Sequence, residues 1–302
     1  MKIYAIMFTW EQIDWLPWAI KQLNRALSYG SLDKVLIAEG GHSKNMSGRS
    51  SDGSWEYLQK TVGNNPNYQL FDAVPFRDKH NSYDQVQPDL LNTMCNTIPL
   101  DTKEDPWIFV TQDDEFFFDK FLRDIKNIVK AADTNSKDMV MTRQLAFSFN
   151  MKLHHLNRTA YILNRWTKDS YWKPISTLCY KDGCPYLTKA DKIHYVPDFD
   201  YTTFHFNRVK RVKREEMRYR LSAEINTPNA MKWHNEVWLA ADLNNLTEAY
   251  KANERLTGHY GYAKDSPNTG PAMWQELVNY EGKYPEVLDD HPYKNISDIR
   301  KL

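Results

Sequence analysis

Three short apolar runs, each running straight into polar or acidic residues, constrain the fold of this chain most. They are Ile3 to Phe8 in KIYAIMFTWEQ, residues 34–38 (KVLIA) before Glu39, Gly40 and Gly41, and residues 107–111 (WIFVT) before Gln112, Asp113, Asp114 and Glu115. Runs of this length suit strands buried on both faces. Segments with helical spacing lie between them. From Asp14 to Ser28 the residues Trp15, Trp18, Ala19, Leu23, Ala26 and Leu27 recur at helical intervals, and Gly30 can close that helix. Trp55 to Val62 reads as a helix and Tyr68 to Val74 as a third strand. Pro88 to Ile98 reads as a helix with Pro88 as an early residue and Leu90, Leu91, Met94 and Cys95 as its apolar face. Phe121 to Ala132 and Met139 to Arg143 add a helix and a fifth strand. This alternation predicts an α/β fold: a parallel or mostly parallel sheet with helices on both faces over residues 1–150.

Residues 151–302 are richer in Tyr, Trp, His and Arg and alternate less regularly. Helices are expected over Lys210 to Leu221 and Val237 to Leu256, with a polar C-terminal tail wrapping the surface. No repeat or low-complexity linker separates the halves, so residues 1–302 are expected to form one domain with an irregular C-terminal extension. The chain has 302 residues, 41% hydrophobic and 26% charged, which suits a globular protein. Lys plus Arg and Asp plus Glu are 39 each, so a strongly basic partner-binding chain is not indicated. Cys95, Cys179 and Cys184 are too few and too odd in number for a disulfide framework, which points to a reducing compartment. The N-terminal run lacks the length and cleavage site of a signal peptide. No stretch approaches about 18 apolar residues. The cytoplasm is the expected location.

Ligands of open α/β sheets bind beyond the carboxyl ends of the strands. Two such ends carry acids here, Glu39 on the second strand and Asp113-Asp114-Glu115 on the fourth. Crowded carboxylates repel one another, and a divalent cation relieves that repulsion. The plain alternative is that these acids stabilise the N-terminus of the helix they precede.

WIFVTQDDEFF resembles the strand-end motif of family 2 glycosyltransferases, whose nucleotide-sugar fold is called GT-A. Gln112, Asp113, Asp114 and Glu115 fit a Gln-x-Asp-Glu variant of its acidic motif, with Gln112 where an acid usually stands. The resemblance implies a nucleotide-sugar donor, most simply a UDP-sugar, and Mn²⁺ or Mg²⁺ held by Asp114, with Asp113 as a further candidate ligand. Asp113 would face the ribose. KIYAIMFTWEQ resembles the first strand and nucleotide-facing loop, which places Thr9, Trp10 and Glu11 near the base. KVLIAEGGHS resembles the second strand, whose acid, here Glu39, would contact uracil or ribose. SSDGSWEYL resembles the following loop, with Asp52 and Gly53. In the second half, TTFHFNRVKRVKREEMRYRL resembles a segment in which a histidine, here His205, completes the metal site, and YEGKYPEVLDDHPY resembles a C-terminal segment of the same family.

The basic run from Arg208 to Arg220 has a plain reading as a solvated helix face with Glu215 and Glu216 supplying local pairs. Arg208 or Lys210 could instead hold the donor diphosphate, or the strip could follow a nucleic-acid backbone. His154 and His155 are adjacent, so at best one faces a site. A general base for the acceptor could come from Asp198, Asp200 or Glu115. No P-loop, Rossmann fingerprint, Gly-x-Ser-x-Gly elbow or HExxH pair is present. The expected activity is metal-dependent glycosyl transfer to a hydroxyl acceptor, a saccharide or glycan. The alternatives are a phage-type DNA glycosyltransferase acting on hydroxymethylated pyrimidines, for which a flipped base would stack on aromatics, a non-catalytic sugar-binding module, and a nucleotidyltransferase.

Overall fold

A computed structural model describes residues 1–41, 46–80, 83–100, 104–173, 177–179, 190–225, 229–257 and 277–302. Cys184 lies outside them. The chain divides into two compact units. The first comprises Met1–Gln144, Thr159–Phe204 and Tyr284–Leu288, and the second Leu145–Arg158, His205–Lys283 and Asp289–Leu302.

The first unit begins with β1 (Ile3–Thr9), α1 (Leu16–Ser28), β2 (Lys34–Glu39), α2 (Ser54–Val62), β3 (Tyr68–Asp72), α3 (Val74–Lys79) and α4 (Tyr83–Cys95). It continues with β4 (Trp107–Gln112), β5 (Glu115–Phe116), α5 (Asp119–Thr134) and the start of β6 (Met139–Ser148). β1 pairs in parallel with β2 on one side and β4 on the other, and β3 extends β2 in parallel. The next strand, β7 (Leu153–Arg165), runs antiparallel to β4, with Trp107 opposite Arg165. β10 (Ile193–Val196) pairs in parallel with β6, and a separate antiparallel pair joins β8 (Tyr171–Lys173) to β9 (Thr177–Cys179).

The sheet is therefore mixed, which corrects the mostly parallel expectation. The βα alternation holds through β4, each crossover returning the chain in the same direction so that the next strand pairs in parallel. β6 and β7 have no helix between them, only residues 149–152, so the chain turns straight back.

Helices cover both faces of the parallel part. Ile6, Leu36, Ala38 and Ile108 pack with Leu90, Leu91, Met94 and Cys95 of α4. The next residue of β4, Phe109, points the other way, and its ring meets Phe117 at 5.2 Å and Phe121 of α5 at 5.9 Å. α5 buries Phe121, Leu122, Ile125, Ile128, Val129 and Ala132, a stripe at helical spacing. α1 carries Pro17 in its first turn, where the missing N–H costs nothing, and is followed by Gly30 at φ 66°. α4 starts at Tyr83, so Pro88 lies inside the helix rather than near its start.

The second unit contains α6 (Val212–Ile225), α7 (Ala230–Trp233), a π-helical turn over His234–Leu239, α8 (Thr247–Thr257) and β12 (Leu277–Asn279). β12 pairs antiparallel with β7, placing Leu277 opposite His155. The single helix expected over Val237 to Leu256 is broken. Asp242 accepts the Asn244 amide at 2.9 Å and Asn245 accepts the Thr247 amide at 3.2 Å. Such side-chain bonds to nearby backbone compete with the helix. His154 and His155 are both buried. Along α6, Arg220 pairs with Glu216 at 2.6 Å, as a solvated face would, whereas Glu215 is fully buried.

One polar side chain ties α1 to the strand-end region. Gln22 is fully buried, donates to the Glu115 carbonyl at 3.1 Å and accepts the Phe117 amide at 2.7 Å. Gln22→Ala leaves two buried backbone groups without partners. It is expected to lower stability by about 2–5 kcal/mol, read as a drop in the urea midpoint at unchanged slope. An unshifted midpoint would contradict this role.

Candidate functional site

In the first unit β1 lies between β2 and β4. The chain leaves β1 for β2 and β3 on one side, then returns for β4 on the other. This reversal of direction makes the ends of β1 and β4 the topological switch point, the place where open α/β sheets take ligands. The pairing sets Thr9 beside Glu39 and Phe8 beside Gln112. Thr9, Trp10 and Glu11 at the end of β1, Glu39 at the end of β2, and Asp113, Asp114 and Glu115 beyond β4 are all buried.

The loop after β2 folds back onto these strand ends. Gly40 has φ 127°, and the Gly41 amide donates to the Gly48 carbonyl at 2.7 Å. A Cβ on Gly41 would fall 2.2 Å from the Ser47 carbonyl oxygen, so only glycine permits the approach. Ser50 then bridges two strands. Its hydroxyl accepts the Glu11 amide at 2.7 Å and its own amide donates to Glu39 Oε1 at 2.9 Å. Glu11 has φ 53°, unusual for a residue with a side chain. Its Oε1 accepts the Ser51 amide at 2.6 Å and the Ser51 hydroxyl at 2.9 Å. Asp52 accepts the Ile13 amide and the Ser54 amide, each at 2.9 Å, which fastens the loop to the β1–α1 connection.

Sequence reasoning missed Ser50, Ser51, Arg49 and Asp72. Arg49 donates to Asp72 at 2.6 Å, stands 3.7 Å from Glu39 Oε2, and lies over the Trp55 ring at 3.7 Å. Its only sequence signal is that it is the one arginine in a Ser-rich loop. Burial pushes the Glu39 carboxyl above its ordinary range; the Ser50 hydrogen bonds and the Arg49 charge oppose this, and Asp72 adds to it.

Beyond β4, Asp113 and Asp114 are the two turn residues between β4 and β5. Glu115 shapes that turn. Its Oε2 accepts the Gln112 amide at 3.1 Å and its Oε1 accepts from Gln144 at 3.3 Å. Asp200 also belongs to the first unit, on an exposed 3₁₀ turn, with its amide donating to Asp198. The other three expected site residues fall in the second unit. His205 and Arg208 are buried on β11 (Thr203–Arg208), and Lys210 is buried just after it. Arg208 donates to the Tyr219 hydroxyl and lies 4.7 Å over the Trp233 ring.

A divalent ion fits the first unit's donor set in kind, since carboxylate oxygens are the ligands Mg²⁺ and Mn²⁺ prefer. Among the described residues, however, no group of three or more His, Cys, Asp or Glu side chains can hold an ion. Two carboxylates at the Asp113–Asp114 turn would leave most of the coordination shell to other ligands.

No family model matches the chain, and no curated protein is similar enough to match. Solved structures similar to it include S. aureus TarS 1-349, at 13% identity, 86% of this chain, 72% of that chain and a TM-score of 0.41. S. aureus TarS 1-349 in complex with UDP-GlcNAc shares 12% identity over 85% of this chain and 81% of that one, with a TM-score of 0.42. A mycobacterial protein shares 12% identity over 74% and 72%, with a TM-score of 0.41. Superpositions this loose assign neither a family nor an activity. Among the described residues, no helix is long and apolar enough to cross a membrane.

The raised Glu39 carboxyl makes a pH prediction. A group with a raised folded-state pKa contributes stability that is fully present below the unfolded value and lost as pH rises through the folded one. Relative to Glu39→Gln, the native chain should therefore lose melting temperature as pH rises from about 4 to about 7. Paired thermal melts check this, and a constant difference across that window would refute it.

Proposed function

We propose that the chain is a nucleotide-sugar-dependent glycosyltransferase whose donor diphosphate lies beyond the ends of β1 and β4. The observation that carries this reading is the buried Asp113–Asp114 turn at the topological switch point of the first unit. A diphosphate set beside two desolvated carboxylates is repelled unless a cation stands between them. A donor and a divalent ion that arrive together satisfy both charges. Asp114, with Asp113, would hold that ion, which supplies neutralisation of the charge building on the departing diphosphate.

The chain's own residues supply the frame. Glu115 holds the turn in shape through Gln112 and Gln144. Because both its oxygens are engaged there, it suits a supporting role better than that of the base. Glu11 and Glu39 bind the 46–54 loop through Ser50 and Ser51, and so fix the wall of the nucleotide side. Asp52 locks the far end of that loop. In this reading Thr9 and Trp10 line the same end of β1. Asp200 carries an exposed carboxylate suited to meeting an acceptor hydroxyl. A saccharide or glycan hydroxyl is the acceptor proposed, because nothing in the neutral charge balance favours a nucleic acid.

The test is nucleoside diphosphate release from a panel of UDP- and GDP-sugars, with Mn²⁺ or with EDTA. Metal-dependent release is expected, and Asp114→Ala should reduce it by at least about 100-fold while leaving the circular dichroism spectrum unchanged. Near-normal turnover in that variant, or release that ignores EDTA, would sink the site assignment.

A further inference from the structure

The 3₁₀ turn at Phe199–Tyr201 presents an aromatic ring between two acids, in the same unit as the Asp113–Asp114 turn. Phe199 is 39% exposed, and Asp198 and Asp200 beside it are exposed too. The turn is held firmly from beneath. The Phe199 ring lies 5.9 Å from Phe118 and 6.3 Å from Phe204. The Tyr201 hydroxyl donates to Asp124 at 2.9 Å and accepts from Lys120, and the Lys120 ammonium lies 4.4 Å from the Tyr201 ring centroid. Asp198 Oδ1 accepts the Asp200 amide at 3.0 Å. Asp198 Oδ2 and the Asp200 carboxylate make no hydrogen bond or ion pair among the described residues.

A rigid exposed ring flanked by spare carboxylate oxygens matches one kind of ligand closely. A pyranose has a C–H face that packs on an aromatic ring and a rim of hydroxyls that donate to carboxylates. A protein partner would call for a wider apolar surface, and an anionic partner would be repelled by the two acids. The anchoring also lowers the ordering cost of binding, because the ring and the turn are already fixed. Phe118 links this turn to the proposed site along the chain. It lies two residues beyond β5, which follows the Asp113–Asp114 turn, and leads into α5.

We propose that Asp198–Tyr201 forms an acceptor subsite for a saccharide, with the Phe199 ring as its stacking face and Asp198 and Asp200 as acceptors for its hydroxyls. This deepens the glycosyl-transfer reading and rests on it for the word acceptor; the binding itself is independent of any donor.

The experiment therefore measures binding without a donor. Cellotetraose, chitotetraose and maltotetraose are titrated into the full chain by calorimetry and saturation-transfer NMR. At least one is expected to bind, with Phe199→Ala weakening it by about tenfold or more, equivalent to about 1.4 kcal/mol. Asp200→Asn should also weaken it, and Phe199→Trp should retain it. Because Phe199 packs on Phe118 and Phe204, near-UV circular dichroism accompanies each variant, and the exposed Asp200→Asn change gives a reading that does not depend on that packing. Failure of the native chain to bind any of the three, or equal binding by Phe199→Ala and Asp200→Asn, would overturn the subsite. Acceptor-independent hydrolysis of UDP-sugars, run in parallel, tests the transfer reading separately. Its absence alongside Phe199-dependent binding would remove the reaction and keep the saccharide site.

Discussion

Carboxylates withdrawn from water are costly unless donors or cations meet them, and the first unit gathers five at the carboxyl ends of its strands. Glu11, Glu39, Asp113, Asp114 and Glu115 are all buried there. Glu11, Glu39 and Glu115 are among those met by donors from the chain itself. Ser51 serves Glu11, Ser50 and Arg49 serve Glu39, and Gln112 and Gln144 serve Glu115. These bonds make the 46–54 loop and the β4–β5 turn parts of one structure. Buried carboxylates of this kind cluster at functional sites, which is the physical basis of the proposal that a charged ligand binds beside them.

The same strand ends show how backbone geometry and charge depend on each other. Glu11 can lie at a positive φ because Ser50 and Ser51 hold its amide and its carboxylate. Ser50 reaches it because Gly40 and Gly41 let the chain turn back against the strand ends. Arg49 then lies between two strand-end acids and the Trp55 ring, on the exposed side of the loop. Replacing Arg49 or Asp72 changes the charge balance around Glu39, whose carboxyl is already pushed up by burial.

The second unit solves a different problem. Its basic run reads in sequence as a solvated face, and Arg220 with Glu216 behaves that way. Glu215 and His234 are instead fully buried near an aromatic group that includes Tyr219, Trp233 and Trp238. Burial lowers the His234 pKa, against the opposing charges of Glu215 and Glu216. Periodicity could not foresee this, because α6 places charges on more than one face. Which of them turns inward depends on the elements that pack against it.

By itself the sequence determined the first four parallel strands, the helices after the first two of them and the acids at the strand ends, but not the short helix Val74–Lys79. Those features are local: short apolar runs bury both faces, helical spacing makes one apolar stripe, and a strand's last residue stays at its end whatever the fold. Tertiary structure alone decided the antiparallel turn of the sheet at β7, because pairing direction depends on how the chain returns rather than on what the strand contains. It also decided that Ser50, Ser51, Arg49 and Asp72 meet the strand-end acids, since those partners lie far apart in the chain and a serine in a polar loop carries no mark of the carboxylate it will serve. Phe199 belongs to the same class. Its exposure was set by Phe118, Phe204 and α5 beneath the turn, and no pattern of spacing records what a ring will have under it.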